Sequence, residues 1–161
     1  MRKESLWFEY LETVEGLIDH ETVKAMKQYR HHYFVNCYEH SVFVSYIAFR
    51  VARQLGLDEE AAARGGLLHD LYLYDSEDPS QYEGLNALYH PPLALENAEK
   101  VTELTDKERN IILSHMWPVA KKRPRSKEAV VVCMADKYCA VLELCKIWHR
   151  MKVSRVMQRS L

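Results

Sequence analysis

The sequence predicts an all-α fold of about six helices with no clear strand. Three observations carry this. Gly and Pro are scarce, five of each in 161 residues, which disfavours a turn-rich β architecture. Apolar residues recur at three- and four-residue steps along several long stretches. Several of these stretches open on a residue that can cap a helix.

Taken in order, Leu6, Tyr10, Leu11, Val14, Leu17 and Ile18 form one apolar stripe, giving an amphipathic helix over about 4–29 with a weak point at Gly16. The Trp7-Phe8 region belongs to this stripe and is expected to pack. His31-His32-Tyr33 begins a break. A second helix runs from about Cys37 to Leu55 and ends at Gly56. Asp58 caps a third, from Glu59 to about Leu71, and 75–80 is a polar loop. Pro91-Pro92 opens a fourth helix that reaches about Leu104. Thr105-Asp106-Lys107-Glu108 reads as a capping box for a helix ending near His115. A basic loop from Trp117 to Pro124 follows. Ser126 then caps a helix that carries Asp136 and runs to Cys145 or beyond. There is no internal repeat or low-complexity tract.

The length fits one domain, 1–161, able to bury a core. A net charge of −1 supplies no global field towards nucleic acid or a membrane. Cys37, Cys133, Cys139 and Cys145 form no C-x-x-C pair. The last three are spaced by six residues, about 240° around a helix, so they share no face and make a poor zinc site. They read as reduced thiols in a cytoplasmic protein. No signal peptide or transmembrane span is visible.

The chemistry concentrates in His69-Asp70, where the apolar run Gly65-Gly66-Leu67-Leu68 ends on two good metal ligands. His40 lies upstream; His90, His115 and Asp136 lie downstream. Such a set suits one or two transition metals, with ligand chemistry typical of iron, manganese or zinc. Adjacent residues on a helix point about 100° apart, so His69 and Asp70 flank one edge and both can lean on a metal there. His40 can add a third ligand from the preceding helix, and Asp136 can complete the site. Gly65 and Gly66 lower helix propensity, and close packing near a metal centre is one reason to tolerate them. His90 is expected at a helix entry and His115 at a helix exit. The economical arrangement is a two-metal site with Asp70 bridging. A lone histidine on a half-apolar helix is ordinarily structural or on the surface, and His20, His31, His32 and His149 are read that way. Burying an unpaired carboxylate is costly, which sets Asp70 and Asp136 apart.

In that order and on successive helices, His40, His69-Asp70 and Asp136 resemble the H…HD…D signature of the HD superfamily of metal-dependent phosphohydrolases. The contexts Tyr38-Glu39-His40-Ser41, Leu67-Leu68-His69-Asp70 and Ala135-Asp136-Lys137 match as well, over a core of about 35–145 with helical extensions on both sides. With His90 and His115 added, the set resembles the six-ligand dinuclear branch that includes bacterial diadenosine-tetraphosphate hydrolases. The resemblance implies that His40, His69, Asp70 and Asp136 hold one metal. Asp70, the residue central to catalysis, would hold the other with His90 and His115. Iron is the usual metal in that branch, with manganese, nickel or zinc as alternatives. The implied reaction is hydrolysis of a phosphoester or phosphoanhydride, of a nucleotide, by a metal-bound hydroxide.

There are departures from the family's branches. The GYP element is absent, and Leu73 and Tyr74 stand where ppGpp hydrolases carry Glu-Asp. Leu73 also takes the place of the acid or lysine found three positions after the HD aspartate. Asp75 or Glu77 is a stand-in proton donor. Lys137 and the loop residues Lys122 and Arg123 are the expected phosphate contacts. That loop is too small a patch to argue for nucleic-acid binding. Two rival readings follow from the same residues: an HD-fold di-iron oxygenase, and a sensor that binds metal or nucleotide without turnover. The basic stretch from Trp148 to Arg159 is read as packing or oligomer contact, which leaves a homo-oligomer open.

Overall fold

Helix α3 (Cys37–Gln54) is the centre of the molecule, and its sequence explains why. Cys37, Tyr38, His40, Val42, Phe43, Val44, Tyr46, Ala48, Phe49 and Ala52 cover most of its circumference and are all buried. A helix that is apolar on nearly every side is stable only when surrounded. The computed structural model describes residues 2–32 and 35–145. Around α3 lie α1 (Arg2–Thr13), α2 (Glu21–Lys24), α4 (Glu59–Leu68), α5 (Asn86–Val101), α6 (Asp106–Ser114) and α7 (Lys127–Leu144). Helix α3 packs most extensively on α4 and α7, and α6 closes the group against both. The fold is all-α in class, as expected from the sequence, with seven helices among the described residues.

Several helix ends follow local chemistry. Asp58 accepts the Ala61 amide at 3.0 Å and starts α4. Thr105 and Glu108 exchange hydrogen bonds in a capping box that starts α6, and Ser126 accepts the Ala129 amide at the start of α7. Asn36 and Glu39 form a second capping box at the head of α3. Helix α3 terminates at Gly56, which sits at φ +65°, in the left-handed region that favours glycine.

The structure corrects four expectations. The helix expected over 4–29 ends at Thr13, short of Gly16 at φ +79°. His20 then adopts an extended conformation, accepts the Thr22 amide and starts the short α2, followed by a 3-10 turn at Ala25–Gln28. Second, α4 stops at Leu68, so His69 and Asp70 lie at and just beyond its end instead of within it. Third, α5 begins at Asn86, so Pro91 and Pro92 sit inside it and His90 belongs to its second turn. A proline removes the bond to the carbonyl four residues earlier. Here those carbonyls belong to Ala87, which is half-buried, and Leu88, which is exposed, so water can reach them. Fourth, the break after Tyr29 holds two short antiparallel strands, β1 (Arg30–His32) and β2 (Val35–Asn36), paired Arg30 to Asn36 and His32 to Val35.

Helix α1 packs on α3 through Trp7, Tyr10, Tyr46 and Phe49, whose rings meet at 5.0–5.7 Å. Phe8 points outward. The Tyr10 hydroxyl donates to Ser45 Oγ at 3.0 Å, and Ser45 donates on to the Ala63 carbonyl at 2.6 Å, tying α1, α3 and α4 together. All four cysteines are free. Among the described residues no helix is long and apolar enough to cross a membrane. His149 and the stretch from Trp148 to Arg159 lie outside the described residues.

Candidate metal centre

Each residue of the HD-type set reaches the same point by a different local device. His40 projects from the first turn of α3. Two glycines bring α4 close enough to α3 and α6 for its end to join it. A Cβ on Gly66 would lie 2.9 Å from the Ser45 Cα, and one on Gly65 would lie 2.7 Å from an Ile111 methyl carbon. The turn after α4 is held by the Asn97 amide, which donates to the Leu71 carbonyl at 2.9 Å, and by the Cys37 thiol, 3.4 Å from the Asp70 carbonyl. His115 is the C-cap of α6, and Asp136 comes from the middle of α7.

These side chains converge on Asp70, which is 3% exposed. Its Oδ1 lies 3.2 Å from His90 Nε2 and 3.3 Å from His115 Nε2. Its Oδ2 lies 3.5 Å from His69 Nε2 and 3.8 Å from His40 Nε2. Asp136 Oδ1 stands 3.2 Å from His40 Nε2 and 3.7 Å from His69 Nε2.

The far side of each ring is anchored. Nδ1 of His69 donates to the Gly66 carbonyl at 2.7 Å, that of His90 to the Asn86 carbonyl at 2.8 Å, and that of His115 to the Ile112 carbonyl at 2.7 Å. A carbonyl oxygen only accepts, so each Nδ1 carries the hydrogen and each neutral ring turns an Nε2 lone pair inward. His40 is anchored instead by the Glu143 carboxylate, 2.6 Å from its Nδ1. Such outer partners fix the tautomer of metal-binding imidazoles.

The result is a cluster of acceptors with nothing of the protein between them. His90 Nε2 and His115 Nε2 face each other at 2.7 Å, both beside Asp70 Oδ1. His69 Nε2 and Asp70 Oδ1 are buried without a hydrogen-bond partner. His40, His69 and Asp136 can offer ligand atoms within 4.8 Å of one another, and so can His69, Asp70 and His115. Lone pairs at such distances repel unless a positive charge sits among them, so the residues fit divalent cations.

The acid–base properties agree. Burial opposes charging His40, but Glu143 and Asp136 outweigh it and lift its pKa to about 9. Burial likewise opposes His69, and Asp70 and Asp136 raise it to about 8. Burial pushes the Asp70 carboxyl up, while the neighbouring imidazoles of His69, His115, His31 and His90 hold it well below the usual carboxylate range. Asp136 is held low by His40 and His69 against the effect of burial. His115 is depressed by burial, helped by the charges on His69 and His90. Without a cation, protons on His40 and His69 would balance the carboxylates, a role that a bound cation takes over by displacing them.

Two participants lie outside the sequence reading. His31, assigned there to the structural or surface histidines, stands with Nε2 3.4 Å from Asp70 Oδ2 and Nδ1 2.8 Å from Glu143 Oε2. It rides on β1, an element the sequence did not announce. Glu143 is buried and held at a pKa of about 2; burial opposes this, and His40 and His31 outweigh burial. Its signal was available, because a carboxylate seven residues after Asp136 shares its helix face inside the apolar run Val141-Leu142-Glu143-Leu144. The plain reading holds for His20, which only caps α2.

A cavity of about 270 Å³ opens over the cluster, lined in part by His31, His32, Tyr72, Ser76, Asn86, Met116, Val119 and Lys137. Lys137 lies in its wall with Nζ 3.0 Å from the His115 carbonyl, where its charge also complements the end of α6. Lys122 and Arg123 do not line the cavity; they are exposed, in a loop held by Asn110 through the Arg123 carbonyl and the Arg125 amide. Asp75 and Glu77 are not in the wall either. Leu73 packs against the core.

Fold and site together define a helical domain built around a buried histidine–carboxylate centre. The HD domain family model matches residues 37–141, and the chain belongs to that family. Ribonuclease Y of Thermotoga petrophila is 34% identical over 113 residues, covering 70% of this chain and 20% of that protein. Ribonuclease Y of Nitratiruptor sp. is 35% identical over 127 residues, covering 78% of this chain and 22% of that protein. Ribonuclease Y of Clostridium perfringens is 34% identical over 113 residues, again 70% and 20%. The chain therefore spans about a fifth of the length of these relatives. No solved structure gives a significant match.

Proposed function

We propose that this chain is a metal-dependent phosphohydrolase, one HD-type unit over 1–161. Its centre would be held by His40, His69, Asp70, His90, His115 and Asp136, with Asp70 shared between two divalent transition ions. The observation that carries this reading is the ring of inward Nε2 atoms around Asp70, closed by the 2.7 Å approach of His90 to His115. Imidazole and carboxylate donors of this kind suit iron, manganese, nickel or zinc. When bound, such ions supply Lewis acidity towards a phosphoryl oxygen and a lowered pKa for a coordinated water.

The chain's own residues do the rest. Asp70 and Asp136 bring negative charge to the cations and fix their place. The Gly66, Asn86 and Ile112 carbonyls and Glu143 hold the imidazoles in the tautomer that ligates. Tyr72, Met116 and Val119 narrow the cavity and limit bulk water, and Lys137 adds positive charge to the wall that a phosphoryl group would meet.

The substrate we propose is a small phosphorylated molecule, a nucleotide, because about 270 Å³ sits at the small end of ligand cavities. A second reading, an RNA phosphodiester, is favoured by one specific observation: the relatives described above are named ribonuclease Y.

The test is hydrolysis by protein prepared anaerobically with Fe(II) or Mn(II), offered nucleoside polyphosphates and a short end-labelled oligoribonucleotide in parallel. Turnover that EDTA abolishes and that falls more than ~100-fold in Asp70→Asn is expected. Release of mononucleotides from the oligomer would select RNA. Tight nucleotide binding with no turnover would overturn hydrolysis in favour of a sensor. A product formed only with dioxygen would overturn it in favour of an oxygenase.

A further inference from the structure

We propose that His31 is an additional protein ligand of this centre, and that it binds on the Asp70 Oδ2 side, at the cation position served by His40. The inference rests on the metal-dependent reading above and extends it to a residue outside the HD-type set.

The geometry begins at Glu143. Its two oxygens hold two imidazoles at once, Oε1 on His40 Nδ1 at 2.6 Å and Oε2 on His31 Nδ1 at 2.8 Å. A carboxylate accepts and does not donate, so both Nδ1 atoms carry hydrogen and both Nε2 atoms present lone pairs. The rings are stacked, with centroids 3.6 Å apart and planes within 18°. Both Nε2 atoms turn to the same Asp70 oxygen, at 3.4 Å from His31 and 3.8 Å from His40. His31 Nε2 thus stands against Asp70 Oδ2 at the same range as the other histidines of the centre.

The ligand atoms of His31, His40 and Asp70 lie within 4.8 Å of one another, close enough to share one cation. Asp70 Oδ2 faces His31 and His40, while Oδ1 faces His90 and His115. Glu143 is then a positioning residue that sets the spacing of two ligands with a single side chain.

The experiment is NMR of the full chain, labelled with 15N-histidine and loaded with 113Cd(II), in which one-bond cadmium–nitrogen coupling reports ligation directly. His31→Gln assigns the resonance, and helical circular dichroism checks that this variant folds. The expected result is coupling at His31 Nε2 to the 113Cd resonance that is also coupled to His40 Nε2. In addition, Glu143→Gln should weaken Cd(II) binding on the order of 10–100-fold, as loss of an outer carboxylate does. Coupling at His40 and His69 with none at His31 overturns this proposal and leaves the metal-dependent reading intact. Coupling of His31 to a resonance that His40 does not share overturns the assignment to the Oδ2 side. No coupling at any histidine overturns both readings.

Discussion

Asp70 carries more of the centre than any other residue, because four of its five HD-type partners lie within 3.8 Å of its two oxygens. Asp70→Asn keeps the size of the side chain and removes its charge. Metal affinity, measured by titration, should fall by more than the ~10–100-fold loss of an outer-shell change. His90→Ala should be milder, removing one cation and sparing the other, because His40, His69 and Asp136 do not depend on it. Equal loss in the two variants would contradict the bridging role. The six HD-type residues were legible in the sequence because carboxylates and imidazoles inside apolar runs are costly to bury without partners. His31 was not legible: it neighbours an ordinary polar break, and only the return of the chain against α7 brings it to Glu143.

Helix α4 shows what the glycines do. Gly65 and Gly66 lower helix propensity, by up to about 1 kcal/mol each relative to Ala, yet sit where two other helices press closest. Gly66 faces α3 backbone, which cannot move aside, whereas Gly65 faces the side chain of Ile111, whose atoms approach its ideal Cβ at 2.7–3.0 Å. Gly66→Ala should therefore destabilise by roughly 1–3 kcal/mol despite the gain in propensity, and should also displace His69 and lower metal content. Gly65→Ala should cost less, because a side chain can shift. Denaturant unfolding of both variants checks the order, and a Gly66→Ala protein as stable as the wild type would contradict close packing as the reason for the pair. At this scale the caps at Asp58, Thr105 and Ser126 were readable because each acts within three residues. The start of α5 was not. Pro91-Pro92 suggests an N-terminus, but the freed carbonyls of Ala87 and Leu88 are near water and let the helix begin at Asn86.

For the molecule as a whole, the centre is a clamp: α3, α4, α5, α6, α7 and β1 each bring a side chain or its anchor to the cluster around Asp70. Cations bound among them should stabilise the folded state, since the unfolded chain holds no such arrangement. At a free metal concentration ~100 times Kd this adds about 2.7 kcal/mol, which for a chain of this size raises the melting temperature by roughly 5–10 °C. Thermal unfolding with and without EDTA should show that difference in the wild type and lack it in Asp70→Asn. Identical melting in the wild type would mean that the cluster holds no cation in the folded state. The sequence by itself determined the helical class, several helix boundaries and a candidate set of six residues that includes Asp70, because periodicity, capping and the cost of burying charge are local or compositional effects. Only the tertiary structure decided that His31 and Glu143 join them, that Lys137 lines the cavity while Lys122 and Arg123 do not, and how Asp70 divides its oxygens. Those facts depend on which elements meet, and that is set by packing between residues far apart in the chain.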